Sequence, residues 1–313
     1  CTWVMNPPEQ SLGYIMADAG FDVYLGNVRG NTWSMENIYL TQDDEDYWNL
    51  IDFDNMISQD LPSMIDKALE VSGQKSLIYI GHSQGTLMGF GGFPLNPELT
   101  AKVDLFIALA PVAYVSHVDS YLLQIMAELD VAMWLELFGF EDFLPSNQVI
   151  EMLGGTLCND IPEACADVIF LLCGWDMGNL NMSRMSFYME HTPAGTSVRN
   201  MVHWTQMVNS GMFEMYDYGK RFNPHYYNTS TPPQYYPQMM TLPPVAFYTG
   251  GKDVLADPTD VQLLLNALPT NNKPIIVHDE PSYEHLDFVW GMNAYQLIYP
   301  EIVQLAQQYS KVN

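Results

Sequence analysis

Three residues of this 313-residue chain have the types and settings for nucleophilic acyl chemistry: Ser83, Asp253 and His285. A serine hydroxyl is a poor nucleophile until a base takes its proton and a third group holds that base. Ser83 lies in Gly81-His82-Ser83-Gln84-Gly85, a G-x-S-x-G pattern. The apolar run Ser76-Leu77-Ile78-Tyr79-Ile80 leads into it, and Leu87, Met88 and Phe90 follow. This reads as strand, tight turn and helix, the setting in which a serine can stand clear of a sheet edge. Small residues at positions 81 and 85 let the two backbones approach. The pentapeptide alone is weak evidence, since short Gly/Ser patterns also form ordinary surface turns; the flanks give it weight. Asp253 follows the apolar run Val245-Ala246-Phe247-Tyr248-Thr249, in the turn Gly250-Gly251-Lys252-Asp253. His285 follows Pro274-Ile275-Ile276-Val277, in a loop with Tyr283 and Glu284. The expected roles are Ser83 as nucleophile, His285 as general base and then acid, and Asp253 as orienter of the imidazole. The backbone N–H of Gln84 is the expected oxyanion donor.

Rival residues fit less well. His82 adjoins the serine but is expected to point elsewhere on the turn. His117, His191, His203, His225 and His278 lack an equivalent strand-end position and read as satisfied polar or surface histidines. Asp257 is the nearest competitor of Asp253 but lies farther beyond its strand, and Asp287 reads as a cap or supporting group.

The elements that must position these groups alternate between strand and helix. Ser11 to Ala19 is amphipathic with Gly20 as a stop, and Asp22-Val23-Tyr24-Leu25-Gly26 reads as a strand. Asp43-Asp44-Glu45-Asp46 reads as a solvated helix start. Asp60 is expected to cap a helix with Pro62 in its first turn, ending at Gly73. Gly89, Gly91 and Gly92 are expected to keep the helix after Ser83 short, each costing up to about 1 kcal/mol in a helix interior. Val103 to Ala110 is a buried strand. Five strands separated by crossovers of helical length imply a parallel sheet, whose strand C-termini share one edge, so three residues distant in sequence can converge.

Between about Val112 and Met240 the alternation stops. The segment is helical in pattern, aromatic, and holds 13 of the 20 methionines. Methionine fills irregular cores, and it also makes a pliable apolar surface suited to a long acyl chain. The expected organisation is a core over 1–112, a helical cap and lid over 113–240, and the rest of the core over 241–313.

Net charge is −26, from 37 acidic and 11 basic residues, which argues against nucleic-acid partners. It suits solubility, and also an acidic lumen where protonation relieves self-repulsion. No apolar run reaches the roughly 18 residues of a membrane-spanning helix. Cys158 and Cys165 flank a short loop suited to a local disulfide, and Cys173 reads as a buried free thiol. Zinc is disfavoured there, the spacing not being C-x2-C and no histidine being near. The sequons at Asn181 and Asn228, with that disulfide, point towards the secretory pathway.

The order Ser…Asp…His is that of the α/β-hydrolases. Several longer stretches resemble one family within them, the lysosomal and gastric acid lipases. They are Leu12 to Ser34, Asp60 to Thr86, Ala108 to Ala113, Pro193 to Thr205, Gly250 to Val261 and His285 to Trp290, so the likeness covers nearly all of the chain. The resemblance implies an α/β-hydrolase fold with an inserted helical cap, and Ser83, Asp253 and His285 as the triad. It also implies Cys158–Cys165 as the cap disulfide, Cys173 as the family's free thiol, and a lid over roughly Ser146 to Trp175. The implied activity is hydrolysis of triacylglycerols and cholesteryl esters at a lipid–water interface, without cofactor or metal, in a lysosomal or secreted protein. Alternatives are a small-ester esterase or thioesterase, and a non-catalytic lipid-binding relative. The chain opens on Cys1-Thr2-Trp3. The first strands of the sheet and the second oxyanion donor are expected upstream of it. In their absence the rate is expected to fall by about 10²–10³, and an open sheet edge to favour aggregation.

Overall fold

A computed structural model describes residues 2–128, 142–143, 173–174 and 178–311. Four strands form the main sheet: β1 (Leu77–His82), β2 (Val103–Leu109), β5 (Val245–Gly250) and β6 (Ile276–Glu280), in the spatial order β1-β2-β5-β6 and all parallel. A short antiparallel pair, β3 (Asp142–Phe143) and β4 (Thr196–Ser197), stands apart. The central strands β2 and β5 are buried along their whole length, as expected of a parallel sheet covered on both faces. Around them lies one core containing Phe90, Phe106, Phe247, Phe288 and Tyr299. A second, smaller cluster joins Met5, Met185, Tyr188 and Trp290, with the Tyr188 and Trp290 rings stacked at 4.8 Å. No helix among the described residues is long and apolar enough to cross a membrane.

The helices that matter for the site are α1 (Leu12–Asp18), α2 (Leu61–Ser72), α3 (Gln84–Leu95), α4 (Met185–His191), α5 (Val198–Ser210) and α6 (Pro258–Ala267). As expected, α1 is followed by Gly20 at φ +94° and α2 ends on Gly73 at φ +70°.

Three local expectations are corrected. Asp22-Val23-Tyr24-Leu25-Gly26 forms no strand; Tyr24 and Leu25 are exposed, and β1 has β2 as its one neighbour among the described strands. Strand propensity without a ladder partner does not make a strand. Asp60 does not cap α2, because a π-turn over Met56–Asp60 runs directly into the helix. Its carboxylate instead accepts from Arg29, at Nε (2.8 Å), Nη2 (2.6 Å) and the backbone N–H (2.9 Å). Finally, α3 is not short: it runs for 12 residues through all three glycines. A β-carbon on Gly89 would lie 2.7 Å from Phe106 Cζ, on Gly91 2.7 Å from Ile57 Cδ1, and on Gly92 2.9 Å from Leu61 Cδ2. The glycines let a helix buried over most of its length lie close against β2 and the Met56–Leu61 turn, and that burial outweighs their poor propensity.

Of the sequence expectations, the Cys158–Cys165 disulfide and nearly all of the lid region fall outside the described residues. Cys173 carries a free thiol, as expected, but is half-buried rather than buried; desolvation, with the carboxylates of Asp253 and Glu284, pushes it up to about 12.

Candidate active site

Ser83 sits between the end of β1 and the start of α3 with φ +54° and ψ −121°, a conformation that L-residues rarely adopt. The turn is possible because of Gly81. A β-carbon there would lie 2.8 Å from the backbone C and O of Gly85 and 2.9 Å from the N of Thr86. Position 85 is less crowded, its nearest neighbour being the Tyr79 hydroxyl at 3.7 Å. The same hydroxyl donates to the Gly85 carbonyl at 2.8 Å. Thr86 Oγ1 completes the turn: it donates to the Ser83 carbonyl (2.6 Å) and accepts from the Val112 N–H (2.8 Å), linking the turn to the chain beyond β2. Gly81→Ala is therefore expected to destabilise the protein by about 3 kcal/mol, as overpacking against backbone does. Gly85→Ala should cost under about 1 kcal/mol. Chemical denaturation of the two variants checks the asymmetry.

Asp253 and His285 come from the loops after β5 and β6. Those loops lie almost in contact: a β-carbon on Gly250 would lie 2.6 Å from the Tyr283 carbonyl, and one on Gly251 2.7 Å from that of Pro281. The Lys252 N–H donates to the Tyr283 carbonyl at 3.0 Å. Asp287 Oδ2 accepts from the Glu284 N–H at 2.7 Å, and its Oδ1 from Asn179 Nδ2 at 2.9 Å, steadying the histidine loop.

The structure brings the three predicted side chains together. Ser83 Oγ is 2.7 Å from His285 Nε2, and His285 Nδ1 is 3.0 and 2.9 Å from Asp253 Oδ1 and Oδ2. Asp253 and His285 are almost completely buried. Asp253 Oδ1 also accepts from the N–H groups of Leu255 (2.9 Å) and Ala256 (2.8 Å), which fixes the carboxylate plane. With Nδ1–H donating to the carboxylate, Nε2 is left as an acceptor for the serine proton. Chemically this is a base-activated hydroxyl with an oriented base. Gln84 opens α3, so its backbone N–H has no intrahelical acceptor and remains available beside Ser83.

The rivals are employed elsewhere. Asp257 Oδ1 caps α6 through the Thr259 N–H (2.7 Å). His117 pairs with Asp260 (2.8 Å) and His278 with Glu301 (2.8 Å). His203 lies buried against Phe53 and meets the Glu214 carbonyl at 3.0 Å. Among the described residues no cluster of three potential metal ligands occurs.

His82 departs from its expectation. Its ring faces the site, its Nε2–H donating to the backbone carbonyl of His285 at 2.9 Å, with the two rings 4.9 Å apart. Burial first, and the neighbouring imidazole second, push it down to about 3. It is thus a neutral clamp on the loop that carries His285. A depressed histidine binds its proton in the unfolded chain but not in the fold, so stability is lost as pH falls below about 6.5 and continues to fall to about 3. His82→Gln keeps a donor and removes the titration. It is expected to make stability between pH 6.5 and pH 5 less acid-sensitive by up to about 2 kcal/mol, as measured by denaturation at each pH. Sequence reading also missed Asn200 and Trp204, which touch the Gln84 side chain. They lie in the matching stretch Pro193 to Thr205, and that was the one signal available.

Comparisons with known proteins bear on the family and the fold. Residues 5–125 match the family model described as alpha/beta hydrolase fold. The chain is 44% identical over 313 residues to human gastric triacylglycerol lipase, covering 99% of this chain and 77% of that protein. It is 42% identical over 311 residues to the rat lysosomal acid lipase/cholesteryl ester hydrolase, covering 98% and 77%. Among solved structures, a monoacylglycerol lipase from Paleococcus ferrophilus superposes with a TM-score of 0.55 at 16% identity over 96% of this chain and 88% of that one, which speaks for the fold alone. With a parallel sheet of this order, the serine elbow at its edge and relatives this similar over almost its whole length, the chain belongs to the gastric and lysosomal acid lipase family of the α/β-hydrolases.

Proposed function

We propose that the protein hydrolyses neutral lipid esters, of the triacylglycerol and cholesteryl ester classes, through an acyl-enzyme on Ser83. His285 Nε2 takes the serine proton as Oγ attacks the ester carbonyl carbon. The developing oxyanion is stabilised by the Gln84 N–H. Collapse of the tetrahedral intermediate expels the alcohol, which takes the proton from the imidazolium that Asp253 has stabilised. Water then attacks the acyl-serine by the same route, with His285 as base, and releases the fatty acid. The observation that carries the reading is the continuous chain from Ser83 Oγ through both ring nitrogens to Asp253, with 2.7 and 2.9 Å contacts. The substrate class comes from the relatives' names.

The methionine- and aromatic-rich stretch 113–240 is the proposed cap, between core segments 1–112 and 241–313. It would accept the acyl chain at a lipid–water interface. The protein is proposed to work in the lysosome or outside the cell, as the relatives' names imply. Asn228, exposed at the end of a short helix, is the better placed glycan acceptor. Asn181 is half-buried, its side-chain oxygen held by Ser183.

Full-length protein should be assayed on emulsified triolein, cholesteryl oleate, a soluble butyrate ester and an acyl thioester. The lipase reading expects turnover of the emulsified esters to exceed that of the soluble ones. Turnover confined to the soluble esters or the thioester would overturn it, and a bound lipid with no turnover would favour a carrier.

A further inference from the structure

The role assigned to Gln84 uses only its backbone N–H, yet its side chain is firmly held. Oε1 accepts from Asn200 Nδ2 and from Trp204 Nε1, both at 3.1 Å, while Nε2 lies 3.0 Å from Met56 Sδ. The two donors are four residues apart on α5 and so share a face of that helix.

That helix is itself anchored. The Asn200 N–H donates to Ser197 Oγ at 2.9 Å, capping α5, and Ser197 Oγ–H donates to the Ile51 carbonyl. Arg199 Nε pairs with Asp52 Oδ2 at 2.7 Å, the aspartate buried and the arginine partly so. The Trp204 ring lies 5.5 Å from that of Phe53. Asn200 Nδ2 also reaches Thr196 Oγ1 at 3.2 Å, whereas its Oδ1 is buried with no protein partner among the described residues. The amide is therefore oriented by what its nitrogen donates to, and reversing it would set oxygen against oxygen at Gln84.

We propose that Asn200 and Trp204 are positioning residues. Through the Gln84 side chain they hold that residue, and with it the backbone N–H next to the nucleophile, at the angle at which it donates to the oxyanion. The proposed cap thereby sets part of the core's catalytic geometry. The inference rests on the reading of Ser83 as nucleophile. Misplacing a preorganised donor loses part of the roughly 10²–10³ in rate that deleting one costs.

Trp204→Phe removes the indole N–H and keeps the ring against Phe53; Asn200→Ala removes the other donor. On a soluble ester, with full-length protein, each is expected to lower kcat about tenfold and leave KM within about twofold; together they should lower kcat by about 10². In a Gln84→Ala background the same substitutions should have little further effect, because the link is already cut. A general weakening of the fold would instead depress kcat as much in that background, and that result overturns the proposal. So does unchanged kcat in both single variants. Labelling of the parent by a serine-directed phosphonate separates the two layers. If Ser83 is labelled and the variants behave as wild type, this inference alone fails; if Ser83 is not labelled, the nucleophile assignment fails and takes this inference with it.

Discussion

Ser83→Gly is expected to abolish ester hydrolysis while making the protein more stable. In the proposed mechanism the Ser83 hydroxyl carries the acyl chain, and removing the serine of such a triad lowers kcat by about 10⁵–10⁶. Yet Ser83 holds φ +54° and ψ −121°, a strain of about 1–3 kcal/mol for a residue with a β-carbon. Glycine relieves that strain but loses more backbone entropy on folding, about 0.5–1 kcal/mol. The net expectation is a gain of about 1 kcal/mol. Ser83→Ala should lose the same activity with no comparable gain, because alanine keeps the β-carbon. Paired measurements of kcat and of denaturant-induced unfolding decide this. Equal stability of the glycine and alanine variants would mean that the strain at the elbow is no larger than the entropy cost of glycine, about 0.5–1 kcal/mol.

Asp253→Asn should lower kcat by about 10⁴ with little change in fold. The reason lies in the hydrogen-bond directions. Oδ1 accepts from the N–H groups of Leu255 and Ala256, so the oxygen of an asparagine would be retained there. Its NH₂ would then take the place of Oδ2, the nearer of the two oxygens to His285 Nδ1 (2.9 against 3.0 Å). That ring nitrogen would have to become the acceptor, leaving Nε2 protonated and unable to take the proton of Ser83. Asp257→Asn is the control: Asp257 caps α6 through Thr259, and its replacement should change kcat less than about twofold. Comparable losses in both variants would remove the distinction between orienter and cap.

The parts of this site that could be read from sequence are those set by local backbone chemistry. The glycines around Ser83 demand a tight turn, and Asp253 and His285 each follow an apolar strand. A parallel sheet then puts all three on one edge. The parts that escaped depend on distant partners. Asp22-Val23-Tyr24-Leu25-Gly26 has strand residues but no ladder to join. The glycines of α3 read as helix breakers until Phe106, Ile57 and Leu61 are seen against them. Asp60 resembles a cap until Arg29 occupies it. His82 and Gln84 have partners 203 and 116 residues away, and no spacing rule reports such a contact.

The central claim, that Ser83 is the acyl-carrying nucleophile activated by His285, is tested most directly by covalent capture. Full-length protein is treated with a long-chain p-nitrophenyl phosphonate, residual activity is followed to zero, and the adduct is located by peptide mass spectrometry. The account predicts one phosphonyl group per chain, on Ser83, with its formation abolished by Ser83→Ala and slowed by several orders of magnitude in His285→Ala. Complete inactivation with the adduct on another residue, or undiminished turnover by Ser83→Ala, would contradict it.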